Sequence, residues 1–128
     1  MSKTKTWKIA KIQDIPPVKD SWSKGWHSIR YHLGITAFGI NGATKSKGES
    51  LTPVHDELEG NQQEVFIVLE GKAEFTLDEK KETLDKGMII SIEPKVKRGA
   101  IALETPTTIL IIGAPIGQVY TAPAWEMK

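Results

Sequence analysis

The residues of this chain best suited to chemistry lie in Pro53-Val54-His55-Asp56-Glu57, with Glu64 a short distance downstream. Imidazole nitrogen and carboxylate oxygen are the donors that suit Fe, Mn, Ni or Zn. In an extended segment, residues i and i+2 share a side. His55 and Glu57 therefore point the same way if residues 52–57 form a strand. Glu64 has the parity of Phe66 and Val68, so it can turn into the interior that those apolar side chains occupy. From spacing alone, a His with two acids at a strand end is more simply read as solvated or paired with nearby Lys or Arg.

Short strands must position these side chains. Ile35 to Ile40 is strand-like and stops at Asn41-Gly42, a strong turn signal. Gln63 to Leu69 reads as a strand with apolar residues on both faces, and Gly71 ends it. Ala73, Phe75 and Leu77 then alternate with Lys72, Glu74, Thr76 and Asp78, the period of a half-buried strand. The charged run Asp78 to Glu82 reads as a solvated hairpin tip. Further strands are expected at 87–92, 97–103 and 107–113, separated by Glu93-Pro94 and Thr105-Pro106. No long apolar stripe of helical period is present, although a short helix within 18–32 is compatible with the pattern. This spacing predicts an all-β sandwich or barrel, and closure into a small barrel or jelly roll removes exposed sheet edges. Residues 1–33 form a lead-in that carries Trp7, Trp22 and Trp26, 34–113 the barrel, and 114–128 a tail whose Trp125 covers apolar surface.

The order of these signals resembles the two motifs of the cupin superfamily. Gly48, His55, Glu57, Glu64 and Gly71 fall where the first motif runs from a Gly through His-x-His and a Glu to a Gly. Gly87 and Pro94 fall where the second runs from a Gly through a Pro to a His and an Asn. The resemblance covers roughly residues 34–113 and implies a cupin-like β-barrel, a double-stranded jelly roll. It also implies a metal held by two His of the first motif, its Glu and the His of the second. This chain keeps His55 and Glu64, places Glu57 at the second His and Arg98 at the third, and lengthens the loop 58–63.

Guanidinium is always charged and has no lone pair for a metal. Opposite Glu57 and Glu64, Arg98 would supply the charge that a metal supplies elsewhere; turned outward, it would join Lys95 and Lys97 at a basic strand end. Ala100 and Ala102 share its face, which would leave room for a ligand. The resulting expectation is a small anionic molecule anchored by Arg98, with His55, Glu57, Glu64 and Phe66 as the wall and no tightly bound metal. One alternative is a metal-dependent enzyme of dioxygenase or isomerase type, in which His55, Glu57 and Glu64 hold Fe, Mn, Ni or Zn. Another is a structural or interaction protein whose pocket is closed by an Arg98–carboxylate network.

Composition narrows the partners. The chain has 128 residues, with 17 Lys plus Arg against 16 Asp plus Glu, which lacks the basic excess of a nucleic-acid surface. Cys is absent, so disulfides, thiolate metal sites and Cys nucleophiles are excluded. No apolar run approaches the ~20 residues that span a bilayer, and Met1 to Lys8 is basic without an apolar segment after it. A cytoplasmic protein with no membrane partner is the expectation. His27 and His32 read as packing or surface residues, residues 42–48 lack the order of a phosphate loop, and no Ser sits in a Gly-x-Ser-x-Gly elbow. Val65, Ile67 and Leu69 face away from Glu64, and Ile101 and Leu103 away from Arg98. That second apolar face calls for a cover, either the Trp-rich lead-in or a second copy of the chain in a homodimer.

Overall fold

Alternation decides which side chains turn inward. In β5 (Lys72–Leu77), Ala73 and Phe75 are fully buried, whereas Lys72, Glu74 and Thr76 on the opposite face are half-buried. In β8 (Arg98–Ala102), Arg98, Ala100 and Ala102 turn inward and Ile101 outward, as the parity argument required. The computed structural model describes residues 6–18 and 24–126; Trp22 lies outside them. The remaining strands are β1 (Trp26–His27), β2 (Gly39–Lys45), β3 (Ser50–His55), β4 (Gln62–Glu70), β6 (Lys80–Asp85), β7 (Ile89–Ile92) and β9 (Thr107–Pro115). One short helix, α1 (Ile29–Leu33), lies between β1 and β2. Among the described residues, no helix is long and apolar enough to cross a membrane.

The strands form two antiparallel sheets, one ordered β1-β2-β9-β4-β7 and the other β3-β8-β5-β6. Their facing sides enclose an apolar core that includes Phe66, Val68, Phe75, Ile109, Ala100 and Ala102. Phe66 and Phe75 meet edge to face with centroids 5.3 Å apart, a geometry favoured by the ring quadrupoles. Each such buried ring contributes roughly 1.5–3 kcal/mol relative to exposure.

Two local expectations are corrected. Asn41-Gly42 is no turn; it sits in the middle of β2, paired with Ile111 and Leu110 of β9. Gly42 lies close to its neighbours there: a Cβ would stand 3.3 Å from the Ile109 carbonyl, a tight contact, and 3.5 Å from the Ile29 side chain, an ordinary one. The unbroken pairing of β2 with β9 overrides the local turn preference. The run Asp78 to Glu82 is a tip only at its start, because from Lys80 it becomes β6, paired with β5. Gly71 does end β4. Its φ is 79°, and a Cβ would lie 2.5 Å from the Pro106 carbonyl, so only glycine fits the turn.

The lead-in packs on the body through polar as well as apolar groups. His27 Nδ1 donates to the Ile15 carbonyl at 2.9 Å, and Nε2 lies 2.9 Å from the Thr44 hydroxyl. Those contacts make His27 a packing residue. Ile15, Val18 and Ile29 are buried, and β1 extends the edge of the first sheet. From the other end of the chain, residues 116–126 return across one end of the sandwich to a short 3-10 turn, Ala124–Glu126.

Candidate functional site

At that end the two sheets leave a cavity of about 350 Å³. Its wall takes Asn41 from β2, His55 from the end of β3, Glu64 and Phe66 from β4, and Gly113 from β9. Gly113 pairs with Glu64 across the ladder, and a Cβ there would lie 2.9 Å from Glu64 Cγ. The absent side chain is what gives the Glu64 carboxyl its space.

His55, Glu57 and Glu64 converge as their spacing suggested. One donor atom from each lies within 4.8 Å of the others. His55 Nε2 is 2.9 Å from Glu57 Oε2, and Nδ1 is 2.7 Å from the Pro53 carbonyl. Both partners are acceptors, so the ring is best satisfied as imidazolium with a proton on each nitrogen. Its pKa is accordingly raised, chiefly by the Glu57 hydrogen bond and against the opposing cost of burial. Glu64, with only 12% of its side chain exposed, is pushed up to about 7. Burial is the main cause and the Glu57 charge the next; Arg98 and His55 oppose them.

Arg98 is fully buried, which excludes the outward orientation. Its Nη2 donates to the Glu93 carbonyl at 2.8 Å, and Nη1 stands 3.6 Å from Glu64 Oε1. That separation is an ion pair too long for a hydrogen bond, so Arg98 Nε and Nη1 and Glu64 Oε1 have no hydrogen-bond partner. Arg98 does not line the cavity. It lies behind Glu64 and acts on the wall through its charge. Ala100 and Ala102 are likewise packed in the core and do not line this cavity.

No motif or spacing pointed to the opposite wall as part of a site. Trp26, Tyr120, Pro123, Trp125 and Glu126 line it, and Trp26 meets Trp125 edge to face at 6.1 Å. Glu126, 2% exposed, pairs with Arg30 Nε of α1 and accepts from Asn41 Nδ2 at 2.6 Å. Arg30 also donates to the main-chain oxygens of Glu126 (3.2 Å) and Ile35 (2.9 Å). Neither the distance in sequence nor the residue types pointed to this pairing. The tail was expected to cover apolar surface with Trp125; that residue, still 43% exposed, also forms part of a cavity wall.

Two facing antiparallel sheets with a His/Glu cluster at one end of the space between them define a double-stranded jelly roll with an internal site. The family model described as "Cupin domain" matches residues 47–113, over half of the chain, and the protein belongs to that family. A cupin protein from Bacteroides fragilis is similar over 94% of this chain and 93% of its own, with a TM-score of 0.71 and 21% identity. KdgF from Halomonas sp. is similar over 62% of this chain and 70% of its own, with a TM-score of 0.56 and 19% identity. The cupin domain of Cnp3 from Schizosaccharomyces pombe is similar over 62% of this chain and 56% of its own, with a TM-score of 0.55 and 15% identity. At such identities the likeness establishes the fold, and function has to be argued from the site. A comparison with curated proteins returns no match.

Proposed function

We propose that the protein binds a small organic acid in the cavity, at the end formed by His55, Glu57 and Glu64. The observation that supports this most is how charge is arranged around the wall. Each lining carboxylate already faces a cation: Glu57 has His55, Glu64 has Arg98 and Glu126 has Arg30. Arg98 still holds two nitrogens with no acceptor. A buried cation with spare donors favours acceptor oxygens nearby. A ligand carboxylate beside His55 and Glu64 would lie in the field of the His55 imidazolium and of Arg98 behind the wall, which favours an anion over a second cation. In this reading His55, Glu57, Glu64 and Phe66 touch the ligand, and Arg98 biases the site from behind.

A second reading has its own support, because the donor set suits a divalent metal. His55 Nδ1 is fixed by a backbone carbonyl, the usual arrangement for a ligating His. Once deprotonated, Nε2 would join the two carboxylates as a nitrogen and oxygen set for Fe, Mn, Ni or Zn. Such an ion would act as a Lewis acid on a carbonyl or hydroxyl of the bound molecule.

Metal analysis of protein purified without chelator, together with calorimetric titration by benzoate, tests both readings. The acid reading expects substoichiometric metal and saturable benzoate binding that weakens about tenfold in His55→Ala, the loss typical of a charge-assisted hydrogen bond. Near-stoichiometric metal that disappears in His55→Ala, without benzoate binding, would establish the second reading and sink the first.

The homodimer belongs to the same proposal. Leu69 is 37% and Ile89 62% exposed on the outer face of the larger sheet, and the described residues of the lead-in do not cover them. A second copy is the proposed cover. Light scattering at micromolar concentration should give the mass of two chains; the mass of one would refute the dimer.

A further inference from the structure

The wall of the cavity includes a buried acceptor that no described residue satisfies. Asn41 lines the cavity and is 8% exposed, and its Oδ1 has no hydrogen-bond partner. The orientation of the amide follows from its neighbour. A carboxylate ionised in an ion pair can only accept, so the group 2.6 Å from Glu126 Oε2 is the Nδ2 donor, and the orphan is Oδ1. Around it the wall is aromatic, formed by Trp26 and Phe66 from the strands and by Tyr120 and Trp125 from the returning tail. Aromatic side chains with one buried acceptor suit a flat apolar group that carries a single donor.

We propose that Asn41 and these rings form a second subsite, which takes an aromatic ring bearing a hydroxyl donor. The inference deepens the reading above and rests on it: with the acid held at the His55 end, the ligand class becomes a hydroxylated aromatic acid. Asn41 Oδ1 accepts the ring hydroxyl, and the tail residues Tyr120 and Trp125 set the width of the slot. Leaving a buried acceptor unpaired is costly, so the subsite discriminates against rings that lack the donor.

The test is calorimetric titration of the full chain with phenol, benzoate and 2-, 3- and 4-hydroxybenzoate, on wild type and Asn41→Leu. Quenching of Trp26 and Trp125 gives a parallel readout, because both line the cavity. One hydroxybenzoate isomer should bind roughly three- to tenfold more tightly than benzoate, the value of one hydrogen bond. Asn41→Leu should abolish that advantage, weaken phenol and leave benzoate nearly unchanged. Equal binding of benzoate and every hydroxybenzoate to wild type overturns the subsite while leaving the acid reading standing. So does a hydroxyl advantage that persists in Asn41→Leu. Phenol binding that depends on Asn41, with no gain from the carboxylate, upholds the subsite and removes the acid reading. Failure of all the ring compounds to bind overturns the subsite. Should Asn41→Leu not fold, Trp125→Ala leaves the Arg30–Glu126–Asn41 group in place. It should weaken every ring probe about tenfold, by loss of a packed aromatic wall; unchanged affinities would overturn the proposal.

Discussion

Glu126→Ala should lower the free energy of unfolding by about 3–5 kcal/mol, the range for removing one partner of a buried ion pair. The substitution leaves Arg30, which is 8% exposed, with its Nε unpaired in the interior, and it leaves Asn41 Nδ2 without an acceptor. Both become buried donors with nothing to bond. The cost is larger than for an exposed bridge because both partners are largely removed from bulk solvent. The effect reaches the cavity as well. Glu126 fastens the tail that brings Tyr120 and Trp125 to the wall. Urea denaturation should therefore show a lower midpoint, and ligand affinity should fall with it.

The companion experiment separates charge burial from packing. The double variant Arg30→Met with Glu126→Met removes both charges and keeps much of the volume, so it should be more stable than either single Met variant. If Glu126→Ala costs less than about 1 kcal/mol, the pair behaves as an exposed bridge, and the tail is not anchored by it.

The parts of the fold that were legible in the sequence are those in which local pattern and tertiary packing agree. β5 and β8 were readable because alternation marks a strand with one face on the core, and Ala73, Phe75, Ala100 and Ala102 occupy that face. His55, Glu57 and Glu64 were readable as a group because parity fixes direction within a strand and the family motif supplies the pairing. Asn41-Gly42 misled because the dipeptide's turn preference is local, whereas all of β2 from Gly39 to Lys45 pairs with the distant β9. The inward parity of Arg98 was legible, but its depth depends on the Glu93 carbonyl and on Glu64, which no spacing reveals, and it stands behind the cavity wall instead of in it. The wall formed by Tyr120, Trp125 and Glu126 is a long-range contact: Arg30 and Glu126 stand 96 residues apart, and nothing local to either one encodes the other.

Protons give the cluster a pH signature whose sign separates the two functional readings. Glu64 titrates near 7 in the fold against an ordinary 4.5. A carboxyl whose pKa is raised on folding favours the folded state in its protonated form. That contribution is complete below 4.5 and is lost as pH rises through 7. His55, also raised, runs the same way: its contribution is complete below 6.5 and is lost above it. From Glu64 alone, stability should fall by about 2 kcal/mol between pH 5.5 and pH 8. Glu64→Gln cannot titrate, so it should lose most of that slope in denaturation curves recorded across the range. An equal slope in the variant would place the titration elsewhere. The ligands then diverge. Protonating Glu64 removes a negative charge from the wall and leaves Arg98 less compensated, so benzoate, ionised throughout, should raise the melting temperature more at pH 5.5 than at pH 8. A divalent ion such as Mn²⁺ or Ni²⁺ must displace protons from His55 and Glu64, so its stabilisation should grow in the opposite direction. The direction of the ligand-induced shift therefore identifies what the cluster binds, because an acid and a metal compete oppositely with the same two protons.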